Sequence, residues 1–264
     1  MEKEVVLCIF FTLVILALIL AALWASGTHP VNVEGTNKTL ESAENSESNV
    51  SDANMVAIPG KPKIWYCNRV LIVERADAKV PLPVLEAFLS PDANLSALGV
   101  PVDPIPVEYS CRSDVGRCFY EGKVCFSHAV KGDGWRVQWG MYYCGTEKPV
   151  EATCVRPASC AVYFTGIGCP HCALTDPWLF YEFVPKHPVV VVEYEIYRDA
   201  SANGPIMDEY VRKYGEYGAV PGVPQIIFDE NHIVVGDMPI VKKLNKTVSE
   251  VSGCILPWLG EMKE

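Results

Sequence analysis

The sequence predicts an α/β protein: a mixed sheet with flanking helices, preceded by a cysteine-rich, mostly β module and an N-terminal transmembrane helix. Three observations predict it. Residues 5–25 carry no charge, residues 61–154 combine β-forming runs with cysteines and prolines, and residues 155–264 alternate apolar strand runs with helical segments. The expected organisation is an anchor at 1–27, a flexible stalk at 28–60, the cysteine-rich module at 61–154 and the α/β domain at 155–264.

At a rise of ~1.5 Å per residue, a helix over residues 5–25 spans roughly 30 Å, the thickness of a bilayer's hydrocarbon core. The alternative is a cleavable signal peptide, because Ala25, Ser26 and Gly27 form a small-residue site. The run is longer than a signal h-region, which favours an uncleaved single-pass anchor. Lys3 and the amino terminus place the amino end inside, leaving the chain after residue 27 extracytoplasmic. Residues 28–60 hold no aromatic residue and cannot bury enough apolar surface to offset chain entropy. Asn37, Asn49, Asn94 and Asn245 each open a three-residue glycosylation sequon, in keeping with an external location.

In the module, residues 64–73 and 135–143 read as strands, with Gly132, Asp133 and Gly134 as a turn. The proline-rich stretch from Pro81 to Pro106 reads as a loop or extended connection. In the second half, residues 159–165, 188–197, 224–228 and 233–235 read as strands, the last two joined through Asp229, Glu230, Asn231 and His232. Helices are expected from the turn after residue 165 to about 184, over 206–216, and from about 246 to 260.

The chain carries 22 basic and 32 acidic residues, a net charge of −10, with no cluster of Lys and Arg. That excludes nucleic acid as a partner. Eleven cysteines point to an oxidising compartment or to cysteine chemistry. Cys111, Cys118 and Cys125, with His128 following, match no zinc spacing, so disulfides are favoured over metal and no metal or cofactor is expected. Apart from Cys169 and Cys172, eight cysteines follow the anchor, and their connectivity is open; Cys160 with Cys254, or with Cys154, comes first.

Cys169, Pro170, His171 and Cys172 follow a strand and open a helix. A cysteine at a helix N-terminus meets free N–H groups and the positive end of the dipole, which favour thiolate over thiol. His171 adds a hydrogen bond or positive charge, and Pro170 suits the first helical turn. Two intervening residues bring Cys172 within disulfide reach of Cys169. A structural staple or half a zinc site is the bland alternative.

This region resembles the thioredoxin fold over residues 160–264. The likeness rests on the strand–CxxC–helix run from Ala161 to Cys172, on Pro177 five residues after the second cysteine, and on Gly222, Val223 and Pro224. In that family, residues like Val223 and Pro224 form a cis-proline loop facing the active-site sulfurs. The Cys-Pro-His-Cys motif is similar to that of DsbA-type thiol oxidases. Two departures stand out. Only 51 residues separate Cys172 from Pro224, too few for the inserted helical domain of that type. Tyr163 occupies the position of the buried acid, with Glu193 or Glu195 as candidate replacements.

The resemblance implies a membrane-tethered thiol–disulfide oxidoreductase acting on protein thiols and disulfides, with a membrane or soluble redox partner. Cys169 is the expected nucleophile and Cys172 the resolver, modulated by Pro170, His171, Val223 and Pro224. Thiolate stabilisation tilts the expectation toward disulfide formation or isomerisation. The alternatives are an anchored reductase of the cytochrome c maturation type and a non-catalytic cysteine-rich binding module.

Overall fold

The β-branched run at residues 189–192 lies inside a nine-stranded mixed sheet that organises the protein. The computed structural model describes residues 54–95, 105–106, 123–144 and 150–254. Among these, the strands are β1 (Met55–Ala57), β2 (Lys63–Tyr66), β3 (Arg69–Val73), β4 (Lys79–Pro81), β5 (Ile105–Pro106), β6 (Lys123–Gly132), β7 (Trp135–Cys144), β8 (Ser159–Thr165), β9 (Val189–Glu195), β10 (Gln225–Asp229) and β11 (His232–Val235). The α-helices are α1 (Leu82–Leu89), α2 (Pro170–Trp178), α3 (Ala200–Tyr214) and α4 (Asp237–Glu250).

The sheet runs β11-β10-β8-β9-β2-β3-β7-β6-β5, while β1 and β4 form a separate antiparallel pair. Only β8 and β9 are parallel, as a crossover through α2 requires. The joint between the halves is β2 against β9, with Ile64 opposite Val192 and Trp65 opposite Val191. Strands of the cysteine-rich segment and of the CxxC segment therefore share one sheet, and it crosses the expected boundary at 154/155.

Alternation along the strands sends side chains to two cores. One face packs Leu71, Val137, Phe164 and Tyr194 against Leu85 and Phe88 of α1 and Tyr210 and Tyr214 of α3. The other packs Trp65, Val70, Tyr163 and Val191 against Leu179, Phe180 and Phe183 after α2 and Ile240 and Leu244 of α4. Three disulfides tie strands to neighbouring segments: Cys67–Cys154, Cys125–Cys144 and Cys160–Cys254. The last is the first of the two pairings expected for Cys160; Cys154 pairs with Cys67 instead. Cys111 and Cys118 lie outside the described residues.

Several elements differ from expectation, each for a local reason. The single strand at 64–73 is a hairpin, β2–β3, turning at Cys67 and Asn68, with Cys67 at φ 58. No glycine marks that turn. The proline-rich stretch contains α1, because Pro81 and Pro83 sit at its start, where a missing N–H costs no helical bond. Its last turn is closed by Arg69, whose guanidinium donates to the Ser90, Phe88 and Ala87 carbonyls. α3 begins six residues before the expected 206, accommodating Pro205 in its interior. The final helix begins at Asp237 rather than about 246 and ends at Glu250. The first helix of the second half stays α only to Trp178, then continues as a π turn (Leu179–Phe183) and a 3₁₀ turn (Val184–Lys186) after Pro177.

The expected stalk ends sooner than residue 60. Met55–Ala57 pair with Lys79–Pro81, the Pro59 carbonyl accepts from the Tyr194 hydroxyl at 3.0 Å, and the Lys61 N–H donates to Asn203 Oδ1 at 2.8 Å. Residues 1–53, including the expected anchor and the rest of the stalk, lie outside the described residues. Among the described residues, no helix is long and apolar enough to cross a membrane. Asn94 and Asn245 are exposed; Asn37 and Asn49 fall outside.

Candidate active site

The strand-to-helix junction after β8 is a turn in which Gly168, at φ +95, takes a conformation that side chains disfavour, and the Cys169 N–H donates to the Gly166 carbonyl at 3.0 Å. A Cβ on Gly166 would meet the Tyr197 ring at 2.8 Å, so a glycine there lets Tyr197 close over the turn. Glu195 fixes the same region: its carboxylate accepts N–H bonds from Ile167, Tyr197, Arg198 and Asp199. This corrects the expectation for Glu195. It braces two loops and is not the acid that serves the second cysteine.

Cys169 is the N-cap of α2, with Pro170 in the first turn. Its Sγ accepts the Cys172 N–H at 3.4 Å and lies 3.8 Å from the Val223 carbonyl. The Val223–Pro224 peptide bond is cis. Cys169 and Cys172 are free, buried thiols, whereas Cys67, Cys125, Cys144, Cys154, Cys160 and Cys254 are all in disulfides. The structure thus sets the Val223 carbonyl beside Cys169, with Pro170 and His171 following it in the first turn of the helix and Pro224 next to Val223.

The two thiols are electrostatically unlike. The hydrogen bond from Cys172 lowers the Cys169 pKa to about 6, helped by the backbone N–H groups of Cys172 and His171 and by the His171 charge, against the cost of burial. The same hydrogen bond, then burial, then the charge of Asp176 push the Cys172 thiol far up. The opposite shifts make Cys169 the more acidic thiol and Cys172 the one that keeps its proton. His171 contributes from the rim: its side chain is 65% exposed, and Nδ1 lies 3.2 Å from Asp237 Oδ2 at the start of α4.

Beneath Cys172 lies a buried acid that the sequence reading missed. Asp176 accepts from the Tyr163 hydroxyl at 2.6 Å and from Thr165 Oγ1 at 2.9 Å. Burial, reinforced by the nearby Glu193 charge, raises its pKa to about 8. The Thr165 hydroxyl also favours the Cys172 thiolate, against the stronger effects that raise that pKa. Glu193 is instead held by Trp65 Nε1 at 2.6 Å. The signal for Asp176 was present: it stands four residues after Cys172 on one helix, and such residues share a face. Tyr163, on β8, donates to the carboxyl supplied by the helix.

Among the described residues, no group of three or more His, Cys, Asp or Glu is arranged to hold a metal ion. Comparison with known proteins finds no matching family, no matching curated protein and no matching solved structure. What the site can do therefore rests on its own geometry: one activated thiolate, one adjacent thiol and an acid with a pKa near working pH.

Proposed function

We propose that this chain is a thioredoxin-like thiol–disulfide oxidoreductase, tethered to a membrane by residues 5–25 and acting outside the cytoplasm to form or isomerise protein disulfides. The carrying observation is the pair itself: Cys169 and Cys172 lie unbridged on one helical turn with oppositely shifted thiol pKa values, in a protein whose other described cysteines are bridged. The strand–helix order after residue 159, the parallel β8–β9 pair with β10 and β11 antiparallel, and the Val223 carbonyl beside Cys169 support the thioredoxin-like reading.

In the oxidised enzyme, a substrate thiolate attacks Cys169 Sγ; an S–S bond forms to Cys169 and the Cys169–Cys172 bond breaks. Cys172 leaves with the electron pair and takes a proton from Asp176 through the Thr165 hydroxyl. A pKa of about 8 keeps Asp176 protonated at pH 7 yet able to give up that proton. A second substrate thiolate then attacks the mixed disulfide, forming the substrate disulfide and releasing Cys169 as a stable thiolate. Two electrons pass from substrate to enzyme. Isomerisation uses the reverse of the last step, with thiolate Cys169 attacking a substrate disulfide.

The roles are tested by trapping. The C172A variant should accumulate mixed disulfides through Cys169, and C169A should accumulate none. Equal behaviour of the two would refute the assignment.

A further inference from the structure

Helices α2 and α4 cover one sheet face over β8 to β11, but that face continues across β2, β3, β7 and β6. Beyond the end of α2 it bounds a partly open cavity of about 300 Å³. Aromatic side chains dominate its apolar wall: Trp65 stacks on Phe180 at 4.7 Å and meets Tyr181 edge-on at 6.1 Å, with Phe126 also lining the space.

Charged side chains that include Lys63, Glu193, Arg198 and Asp199 also line the cavity, and two further polar groups distinguish it from a packing defect. Arg136 and Gln138 lie two residues apart on one face of β7, and both line it. Gln138 is only 4% exposed. Its Oε1 is buried with no hydrogen-bond partner among the described residues, and so is Arg136 Nε. Arg136 Nη1 is engaged by Glu74 at 3.0 Å, and Nε is the buried donor that this pair leaves unmet. A buried polar atom left unpaired costs roughly 1–3 kcal/mol, so an occupant that pairs both atoms binds favourably.

Part of the lining is aromatic, and one face of β7 contributes an acceptor and a donor two residues apart. A phenolic hydroxyl answers both, since it donates one hydrogen bond and accepts another. Phenyl rings lack this, and carboxylates cannot donate to Gln138 Oε1. The volume sits at the lower end for small-molecule sites, so it suits a single ring.

The cavity also touches the active site. Ile167, two residues before Cys169, lines it, and so does Asp176. We propose that this cavity binds a phenol, delivered as a tyrosine side chain of the polypeptide whose cysteine reacts at Cys169. The delivery rests on the oxidoreductase reading; the binding chemistry does not.

The test uses the purified full chain and two probes, p-cresol and toluene, with binding read by ligand-observed NMR. Cresol should bind about tenfold or more tightly than toluene, the worth of one or two hydrogen bonds. Gln138→Leu should abolish that preference while leaving the Cys169 thiolate titration unchanged, which shows the fold is intact. Ile72→Trp, which fills the space from β3, should abolish binding of both probes.

A second arm compares cysteine peptides containing Tyr or Phe with glutathione. Wild type should react faster with the Tyr peptide, and Gln138→Leu should lose that advantage with no change toward glutathione. Absence of cresol binding, or equal binding of toluene, overturns the site. Cresol binding with no peptide preference overturns delivery by a substrate and assigns the cavity to a free phenolic molecule. Failure to react with any thiol, glutathione included, counts against the oxidoreductase reading and leaves the binding result standing.

Discussion

The cysteines of this protein fall into two settings on one sheet. Cys67, Cys125, Cys144, Cys154, Cys160 and Cys254 sit on or beside strands and are bridged, with Cα–Cα distances of 5.6, 5.7 and 4.7 Å. Cys169 and Cys172 sit on one helical turn, unbridged, with N–H donors, a carbonyl and a buried acid around them. Both settings have cysteines close enough to bond. What marks out the second setting is the surroundings of the thiolate: donors at a helix start stabilise the reduced form. The reactivity proposed for this pair follows from local electrostatics and not from cysteine content.

The largest effect that tests this contrast is loss of activity. Cys169→Ser should reduce thiol exchange to the uncatalysed rate, measured with a dithiol peptide, while leaving the fold unchanged. The matching change in the other setting should do the reverse. Removing the bridge that closes 87 residues, as Cys67→Ala with Cys154→Ala, should cost about 3–4 kcal/mol of unfolding free energy. Denaturant unfolding checks that cost, and the Cys169 thiolate titration should not move. A shift there would show that the two settings are coupled.

Next comes Asp176. Asp176→Asn keeps an acceptor oxygen for Tyr163 and Thr165 but cannot shuttle a proton, so exchange at pH 7 should slow about 10²-fold. Stability should respond with the opposite sign. The folded carboxyl holds its proton to about pH 8, whereas the unfolded one loses it near its ordinary value of 3.8. Stability therefore falls as pH rises between those values, and the variant should lack that decline. Melting temperatures at pH 5 and pH 9 measure it: the variant should gain on wild type at the higher pH.

His171 should show the smallest effect. Its charge is the last contributor to the lowered Cys169 pKa, and its side chain is largely exposed. His171→Gly should raise the thiolate midpoint from about 6 by less than one unit, read by ultraviolet thiolate absorbance. A larger rise would mean that the histidine, and not the Cys172 hydrogen bond, controls the thiolate.

Local features were the legible ones. Strand β8 has the bounds that its apolar run predicts, and Cys169 stands at the start of a helix beside the Val223 carbonyl because short runs encode both. Features made by distant pairing were not legible. Nothing near Ile64 marks Val192 as its partner, so the continuous sheet was read as two modules. Asp176 was not legible from the strand position held by Tyr163; only its helical spacing from Cys172 points to it. The early start of α3 was hidden by Pro205, a residue that ordinarily breaks a helix.

The shared sheet also decides how the central claim is measured. Strand β9 pairs with β2, and Cys154 is bridged to Cys67, so the whole chain is required, not residues 155–264 alone. The full chain is equilibrated across glutathione redox buffers, and each cysteine's state is read by alkylation and mass spectrometry. The prediction is a single two-electron transition at Cys169–Cys172, well above the roughly −270 mV of thioredoxin, with the three described bridges oxidised throughout. A transition near thioredoxin's value would contradict the oxidising direction. Titration of Cys169–Cys172 together with the structural bridges would contradict the claim that this pair is the redox site.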